Sequence, residues 1–325
     1  MSEKHWSEAV SRLTTWLSGQ VSFEDAAEIL EQVGGIHLSD SSAWRTTQCF
    51  GEKMKGLEEQ QTQAAQQKPI ETAAAVREER LGAAMDGVIV YIRTEGWKEL
   101  KVGCVFQIEP GTVRDERIGE DVVIGHGVNN SYVAHLGGPQ PFGEKLFAEA
   151  RRRNWLHVRH TQVLGDAAGW IWNQAEEHFR GSEQTIDWYH AKQHLFAACY
   201  SLHPEGTPAA QHWMNKHTEL LFQGHAEQIA HTLRSAAEQQ PGADAEAGYF
   251  ETNHRRMNYM QLREEGWVIG SGMIESGGKQ FKARFAGPGM RWSRDGAERL
   301  LPIRAAILGN QFDRLWRSVY NSPQN

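Results

Sequence analysis

A short apolar run over residues 83–93 sets the class of fold. It is rich in β-forming residues and apolar on both faces, which is typical of a strand in the middle of a covered sheet. After Glu95 and Gly96, apolar residues alternate with polar ones from Leu100 to Phe106, which predicts the half-buried second strand of a hairpin. We therefore expect a layered α/β domain built around this hairpin.

The segments after the hairpin alternate between strand and helix patterns. Three antiparallel strands followed by alternating helix and strand is the order of an RNase H-like α/β domain. In that order, Asp86 on the first strand and Asp166 at the end of the fourth become neighbours. The remaining elements are expected at residues 121–125 or 131–136 (third strand), 142–153 (helix), 158–164 (strand), 170–179 (helix), 185–187 (strand) and 189–200 (helix).

Residues 1–55 predict an N-terminal helical domain. Helical spacing over residues 5–18, a serine-capped second helix, a glycine break and a third helix opening near Ser39 have the spacing of a helix-turn-helix. An ordinary helical hairpin fits the same pattern equally well, since the third helix offers a DNA groove only Arg45 and Lys53. Both interpretations stay open.

Composition divides the rest of the chain into four parts. Residues 56–80 are rich in Gln, Glu and Ala and contain Pro69, which predicts a solvated linker helix. Residues 81–200 form the first part of the α/β domain, and residues 201–266, with helical segments and no strand pattern, predict an all-helical insertion. Residues 267–325 return to the α/β domain and end in an amphipathic helix pattern that we expect Pro302 to break near its start.

One stretch near the C-terminus combines a carboxylate with a basic strip. Glu275 stands among small residues, and the segment from Lys279 to Arg304 has seven basic residues against two acidic ones, although the whole chain carries a net charge of −7. A carboxylate that binds a divalent metal loses its repulsion for phosphate, while nearby Lys and Arg hold the strand. The stretch therefore favours a site that handles phosphates.

Cysteine spacing and hydropathy indicate the compartment. Cys49, Cys104 and Cys199 stand far apart with no C-x-x-C pair, so we expect neither a disulfide framework nor a zinc ribbon, and a reducing cytoplasm as the location. The apolar runs are shorter than a bilayer span and the N-terminus has no signal-peptide pattern, so we expect a soluble protein that does not contact a membrane.

Four motifs occur in order between residues 80 and 315. They are MDGVIV with WKELKVGCVF (85–90 and 97–106), VLGDAAGWIW (163–172), DWYHAKQHL (187–195) and GSGMIESGGKQFKARF with GMRWS (270–285 and 289–293). Together they resemble the DDE transposases, in particular the ISKra-type and Mutator-like insertion-sequence enzymes, whose fold is RNase H-like and similar to that of retroviral integrase. An all-helical insertion before the glutamate fits the wide spacing of the acids.

The resemblance implies that Asp86, Asp166 and Glu275 are the catalytic residues and bind two Mg²⁺ or Mn²⁺ ions. Oxygen-only ligands suit these hard cations, and two metals ~3.5–4 Å apart can activate an attacking oxygen and stabilise a leaving one. It also implies that water nicks the ends of an insertion sequence and that the freed 3′-hydroxyl attacks target DNA. Because two DNA ends must be paired, a homodimer is expected.

Further residues are expected to support this site. Asp187 and His190 resemble a motif, an acidic residue or Cys and then His, that related transposases carry at the start of the insertion, and we expect them to orient the site. Alternatively, His190 and His194 lie four residues apart on one helix face and would form half of a zinc site. The residues expected to bind DNA are Lys279, Lys282, Arg284, Arg291, Trp292 and Arg294, with Trp292 as the candidate for stacking on a base.

Two other functions fit the same residues. A plain RNase H-like nuclease would cut DNA without joining it. Family members often carry a longer N-terminal region with cysteine-rich metal-binding elements, whereas this sequence begins with the helical segment. A truncated or inactive regulator that binds transposon ends is therefore the other alternative.

Overall fold

The computed structural model describes residues 6–67, 77–115 and 118–320, which form a mixed sheet with helices on both faces. The α/β class predicted from the sequence is confirmed. Within these residues no helix has both the length and the apolar composition to cross a membrane. No disulfide joins the three cysteines, all of which lie in the described ranges.

Three helices precede the sheet: α1 (Glu8–Gln20), α2 (Phe23–Gly34) and α3 (Asp40–Gln67). The predicted serine cap is present, since Ser22 accepts a hydrogen bond from Asp25 N at 3.0 Å, and α2 ends at Gly35 with a left-handed φ of 61°. The predicted boundary at residue 55 falls within α3, which continues to Gln67 and is ion-paired to a later helix through Glu58 and Lys145 at 2.6 Å. Pro69 lies outside the described residues.

The sheet has the strand order β3-β2-β1-β4-β5. β1 pairs antiparallel with β2 and parallel with β4, β2 pairs antiparallel with β3, and β4 pairs parallel with β5. Both predicted positions for the third strand fall within one long β3. The strands are β1 (Arg77–Ile92), β2 (Gly96–Asp115), β3 (Glu120–Leu136), β4 (Val158–Gly165) and β5 (Glu183–Ile186).

Helices cover both faces of the sheet, because β1 is apolar on both sides. Leu81, Ala83 and Met85 share a core with α4, α5 and α6, whereas Ala84 and Val88 share a second core with α11 and α12. The helices are α4 (Pro139–Arg152), α5 (Gly169–His178), α6 (Trp188–Leu202), α11 (Gly272–Phe285) and α12 (Arg294–Leu308).

Residues 201–266 contain helices and no strand, as the sequence predicts. Ile229, Leu233 and Phe250 are fully buried and extend the core that lies beneath α6. A 3₁₀ turn over His254–Arg256 leads into the last of these helices. The helices are α7 (Pro208–Phe222), α8 (Ala226–Ala237), α9 (Ala243–Asn253) and α10 (Tyr259–Glu264).

The C-terminal helix breaks at a different place from the one predicted. α12 runs through Pro302, and the chain turns instead at Gly309 and Asn310 before α13 (Phe312–Val319). Asn310 has a left-handed φ of 52°, and a Cβ on Gly309 would stand 3.2 Å from Ser131 Cα. The close approach of β3 therefore ends the helix, whereas burial among apolar neighbours outweighs the hydrogen bond that Pro302 cannot donate.

Candidate functional site

Asp86 lies in the interior of β1. The strand continues for six residues beyond it, so Asp86 and Gly87 do not form a turn at a strand end. Asp86 Oδ1 accepts a hydrogen bond from Gly87 N at 2.7 Å. The side chain is on the face of the sheet that α11 covers, because a Cβ on Gly278 would stand 3.2 Å from Asp86 Oδ2.

Asp166 follows the last residue of β4, next to β1 in the sheet. Its Oδ1 accepts a hydrogen bond from Ala168 N at 2.7 Å, which holds the carboxylate in the loop that leads into α5. Ala168, rather than Asp166, precedes the first turn of that helix. The parallel pairing of β1 and β4 thus brings together two aspartates that are 80 residues apart in the sequence, as expected.

Glu275 is in the first turn of α11, which packs directly on the sheet. The close packing requires glycines, since a Cβ on Gly277 would stand 2.4 Å from Tyr132 Cε1 and one on Gly278 would press on Asp86. The Glu275 side chain is 44% exposed, and its Oε2 lies 3.4 Å from Lys279 Nζ. The small residues around Glu275 therefore let its helix approach Asp86.

The three acids line one cavity of about 110 Å³. Burial raises the pKa of Asp86, and the charges of Asp166 and Glu275 raise it further. These carboxylates therefore repel one another when ionised, and a cation would relieve the repulsion. The other residues that line the cavity are Met85, Gly165, Asp187, His190, Gln193, Ser271 and Ile274.

Asp187 connects three parts of the site. It is 3% exposed; Oδ1 accepts from His190 N at 2.7 Å and Oδ2 from Ser271 N at 2.6 Å, while its own amide donates to Gly165 O at 3.0 Å. These bonds join the end of β4, the start of α6 and the residue that precedes α11. Both oxygens are engaged by backbone amides, so the carboxylate connects the start of α6 to the start of α11, which carries Glu275, while the Asp187 amide holds the end of β4 that precedes Asp166.

His190 lies at the cavity and His194 lies one turn behind it. Burial lowers the pKa of His190, while Asp166 acts in the opposite direction. The His194 ring stacks on Tyr249 with centroids 3.5 Å apart, and its Nδ1 lies 2.8 Å from Glu246 Oε2. His194 therefore contacts α9, and its ring also lies 5.0 Å from that of His190, so the two rings of the zinc alternative are neighbours.

Tyr249 lies behind the cavity, near Asp166 and Asp187, and the sequence analysis did not identify it. Its hydroxyl is buried and has no hydrogen-bond partner among the described residues. Burial raises the pKa of Tyr249, and the nearby charges of Asp166 and Asp187 raise it further. The sequence around Tyr249 contains no recognisable motif. Its position near the two aspartates follows only from the packing of the helical segment against α6.

The residues expected to bind DNA occupy different environments. Trp292 is 9% exposed, and its Nε1 donates to Phe285 O at 2.9 Å, so the ring packs in the core and is not presented for stacking on a base. Arg294 is ion-paired with Glu95 at 2.6 Å and with Glu298 at 3.4 Å. Arg284 is buried. The three that face solvent are Lys279, Lys282 and Arg291.

The donor set suits a hard divalent cation, since all three acids offer carboxylate oxygens. Asp86 and Asp166 each engage one oxygen in a hydrogen bond to a neighbouring amide, and Glu275 is paired with Lys279. Among the residues that the structure describes, no three His, Cys, Asp or Glu side chains stand close enough together to hold a metal ion.

The comparisons with known proteins add no family. A scan against models of protein families finds no match to this chain, and a search of the curated proteins finds none either.

Proposed function

We propose that this protein is a metal-dependent DNA transposase of the DDE type, which nicks the ends of an insertion sequence and joins them to target DNA. The observation that carries the proposal is that Asp86, Asp166 and Glu275, from three distant segments, line one cavity. Their order along the chain and the motifs around them are those of the resemblance described above. A dimer that pairs two DNA ends and a cytoplasmic location belong to the same proposal.

The fold supports the proposal through its order of elements. Three antiparallel strands are followed by alternating helices and strands, and the helical residues 201–266 come between β5 and α11. We therefore assign the sheet and its covering helices to an RNase H-like domain interrupted by a helical insertion, and α1, α2 and α3 to the N-terminal helical part that precedes it. In this division Glu275 reaches the sheet from beyond the insertion.

The residues of the cavity divide the chemical work. Asp86, Asp166 and Glu275 would hold two Mg²⁺ or Mn²⁺ ions, which would supply charge stabilisation on both sides of the phosphorus. Asp187 connects the start of α11, which carries Glu275, to the end of β4 that precedes Asp166. On metal binding Glu275 would exchange its contact with Lys279 for a cation in the cavity, and Lys279 and Lys282 would then face the phosphates of the strand.

The test uses DNA ends that flank the coding region. Purified protein with Mg²⁺ should nick labelled duplexes that contain these ends, and Asp86→Asn, Asp166→Asn and Glu275→Gln should each abolish nicking. Glu99→Gln is the matched control, because Glu99 also lies near Asp86 but does not line the cavity. Mg²⁺ should raise the thermal midpoint of the wild type and not that of Asp86→Asn. Unchanged nicking by Asp86→Asn would refute the proposal.

A second candidate is a DNA-binding regulator that does not cleave. The contact of Glu275 with Lys279, rather than with the two aspartates, favours it. Sequence-specific binding of the flanking ends, with no nick in Mg²⁺ or Mn²⁺, would identify this function. Nicking without transfer of the 3′-hydroxyl to a second duplex would instead identify a nuclease of the same fold.

A further inference from the structure

A groove of about 630 Å³ lies between the start of α3 and the end of β1. Its walls include Trp44 and Arg45 on α3, Arg93 after β1, and Arg291. Arg93 Nε donates to Arg291 O at 3.0 Å, and Ile92 pairs with Trp292 in a short parallel bridge, so the two segments form a single wall. None of these residues lines the cavity that contains the three acids.

The walls of the groove are basic. Among the described residues that line it, four are arginines and one, Asp40, is acidic. In the described part of the chain, the guanidinium of Arg45 donates to Ser42 Oγ at 3.3 Å, and that of Arg291 lies 5.5 Å from the centre of the Tyr91 ring. These positive charges contact neutral groups, which leaves them available to an anion.

Arg284, the fourth arginine, is 2% exposed. Its guanidinium lies 5.0 Å from the ring centres of both Phe23 and Trp292, and Nε donates to Ser18 O at 2.8 Å. Its Nη2 is buried without a hydrogen-bond partner among the described residues. Burial, assisted by Arg304, lowers the pKa of Arg284 to about 10. A buried cation without a paired carboxylate costs stability, which a bound anion would restore.

Trp44 stands at this basic groove with 45% of its surface exposed. A single exposed aromatic side chain is common on proteins and by itself indicates nothing. Here it lies beside three exposed arginines and one buried arginine. Aromatic rings beside a basic groove are the arrangement by which proteins hold unpaired nucleotides, the ring stacking on a base and the arginines facing phosphates.

We propose that this groove binds an unpaired segment of the DNA substrate, with a base on Trp44, phosphates on Arg45, Arg93 and Arg291, and the buried charge of Arg284 adding to the positive potential of the groove; taking DNA as the ligand rests on the proposed function. Arg93 is seven residues beyond Asp86 in the sequence. At ~3.3 Å per residue the groove is ~23 Å from the cavity. At ~3.4 Å per base pair, a duplex that joins the two spans about seven base pairs.

The experiment measures binding of a fluorescent oligothymidylate to the full chain in EDTA, where no cleavage occurs. Trp44→Ala should weaken binding about tenfold. Arg45→Gln and Arg291→Gln should each reduce the slope of log affinity against log salt by about one. Tyr200→Ala, at the same 45% exposure on α6, and Arg180→Gln, in the exposed turn after α5, are the matched controls and should bind as the wild type does.

Arg284→Met separates binding from folding. The substitution removes a buried charge with no carboxylate partner but also the hydrogen bond to Ser18 O, so the two effects should partly cancel in the thermal midpoint, while oligonucleotide binding at a temperature well below that midpoint weakens. Wild-type affinity for oligothymidylate in Trp44→Ala and in both Gln variants would refute the proposal that the groove binds DNA. Competition by inorganic phosphate as effective, per phosphate, as that by oligothymidylate would also overturn it, since it would show a simple anion site.

The groove and the proposed enzyme can fail separately. If the groove variants lose binding in EDTA while the wild type never nicks DNA, the proposed DNA-binding groove is supported and the proposed transposase activity is refuted. If nicking depends on Asp86 while the groove variants bind normally, the proposed transposase activity is supported and the proposed DNA-binding groove is refuted.

Discussion

Replacing Asp187 by Asn tests how the proposed site is assembled. The carboxylate is 3% exposed and accepts two amide hydrogen bonds, a local one from His190 and one from Ser271, which is 84 residues further along the chain. An Asn oxygen can keep one of these bonds, but the amide nitrogen then faces a donor. Loss of a charge-assisted bond to a buried amide costs ~1.5–3 kcal/mol, so we expect a loss of about 2–3 kcal/mol.

This free energy corresponds to a measurable shift in the thermal midpoint. At ~2.1 cal/mol/K per residue, the unfolding entropy of a chain of 325 residues is ~0.7 kcal/mol/K, and the midpoint should fall by ~3–4 °C. Well below the midpoint, nicking should fall about tenfold, because the start of α11 loses its connection to β5.

A matched control isolates the long-range bond. Thr207 caps α7 through Ala210 N at 3.2 Å and makes its other side-chain hydrogen bond to Pro204 O, also local. Thr207→Ala should therefore cost ~1 kcal/mol, or ~1–2 °C. If Asp187→Asn lowers the midpoint no further than Thr207→Ala, the bond to Ser271 does not hold the site together.

Two further predictions concern titration and packing. The pKa of His135 is lowered to about 4, mainly by burial and next by Lys145, so the unfolded chain binds the proton first and stability falls as the pH drops from 6.5 towards 4. Since the ring is partly exposed, we expect this loss to be ~1–2 kcal/mol, less than the full shift implies, and smaller in His135→Gln. Urea unfolding across this pH range measures it, and equal pH slopes for the two proteins would contradict it. Gly278→Ala would place a methyl group 3.2 Å from Asp86 Oδ2 and should reduce nicking about tenfold with little change in stability, whereas Gly277→Ala, 2.4 Å from Tyr132 Cε1, should cost ~1–3 kcal/mol. Nicking assays and thermal midpoints of both variants decide this, and the opposite ranking would refute the packing of α11 on the sheet.

The sequence predicted the elements whose signals are local. The serine before α2 and the glycine after it act on the neighbouring residues, so Ser22 and Gly35 could be assigned without a structure. The apolar run of β1 on both faces predicted a covered strand, and alternation after Gly96 predicted its hairpin partner. The prediction that Pro302 breaks the C-terminal helix was wrong. A proline weakens a helix locally, but here burial in the tertiary structure outweighs that cost.

By itself, then, the sequence determined the α/β class, the hairpin and the helical character of residues 201–266, because periodicity and turn chemistry extend over a few residues. Only the tertiary structure decided which side chains meet. It placed Asp86, Asp166 and Glu275 on one cavity, engaged both oxygens of Asp187, buried Trp292 and left Trp44 exposed beside arginines from three segments. Such contacts join residues that are tens to hundreds of positions apart, and no local pattern encodes the packing that brings them together.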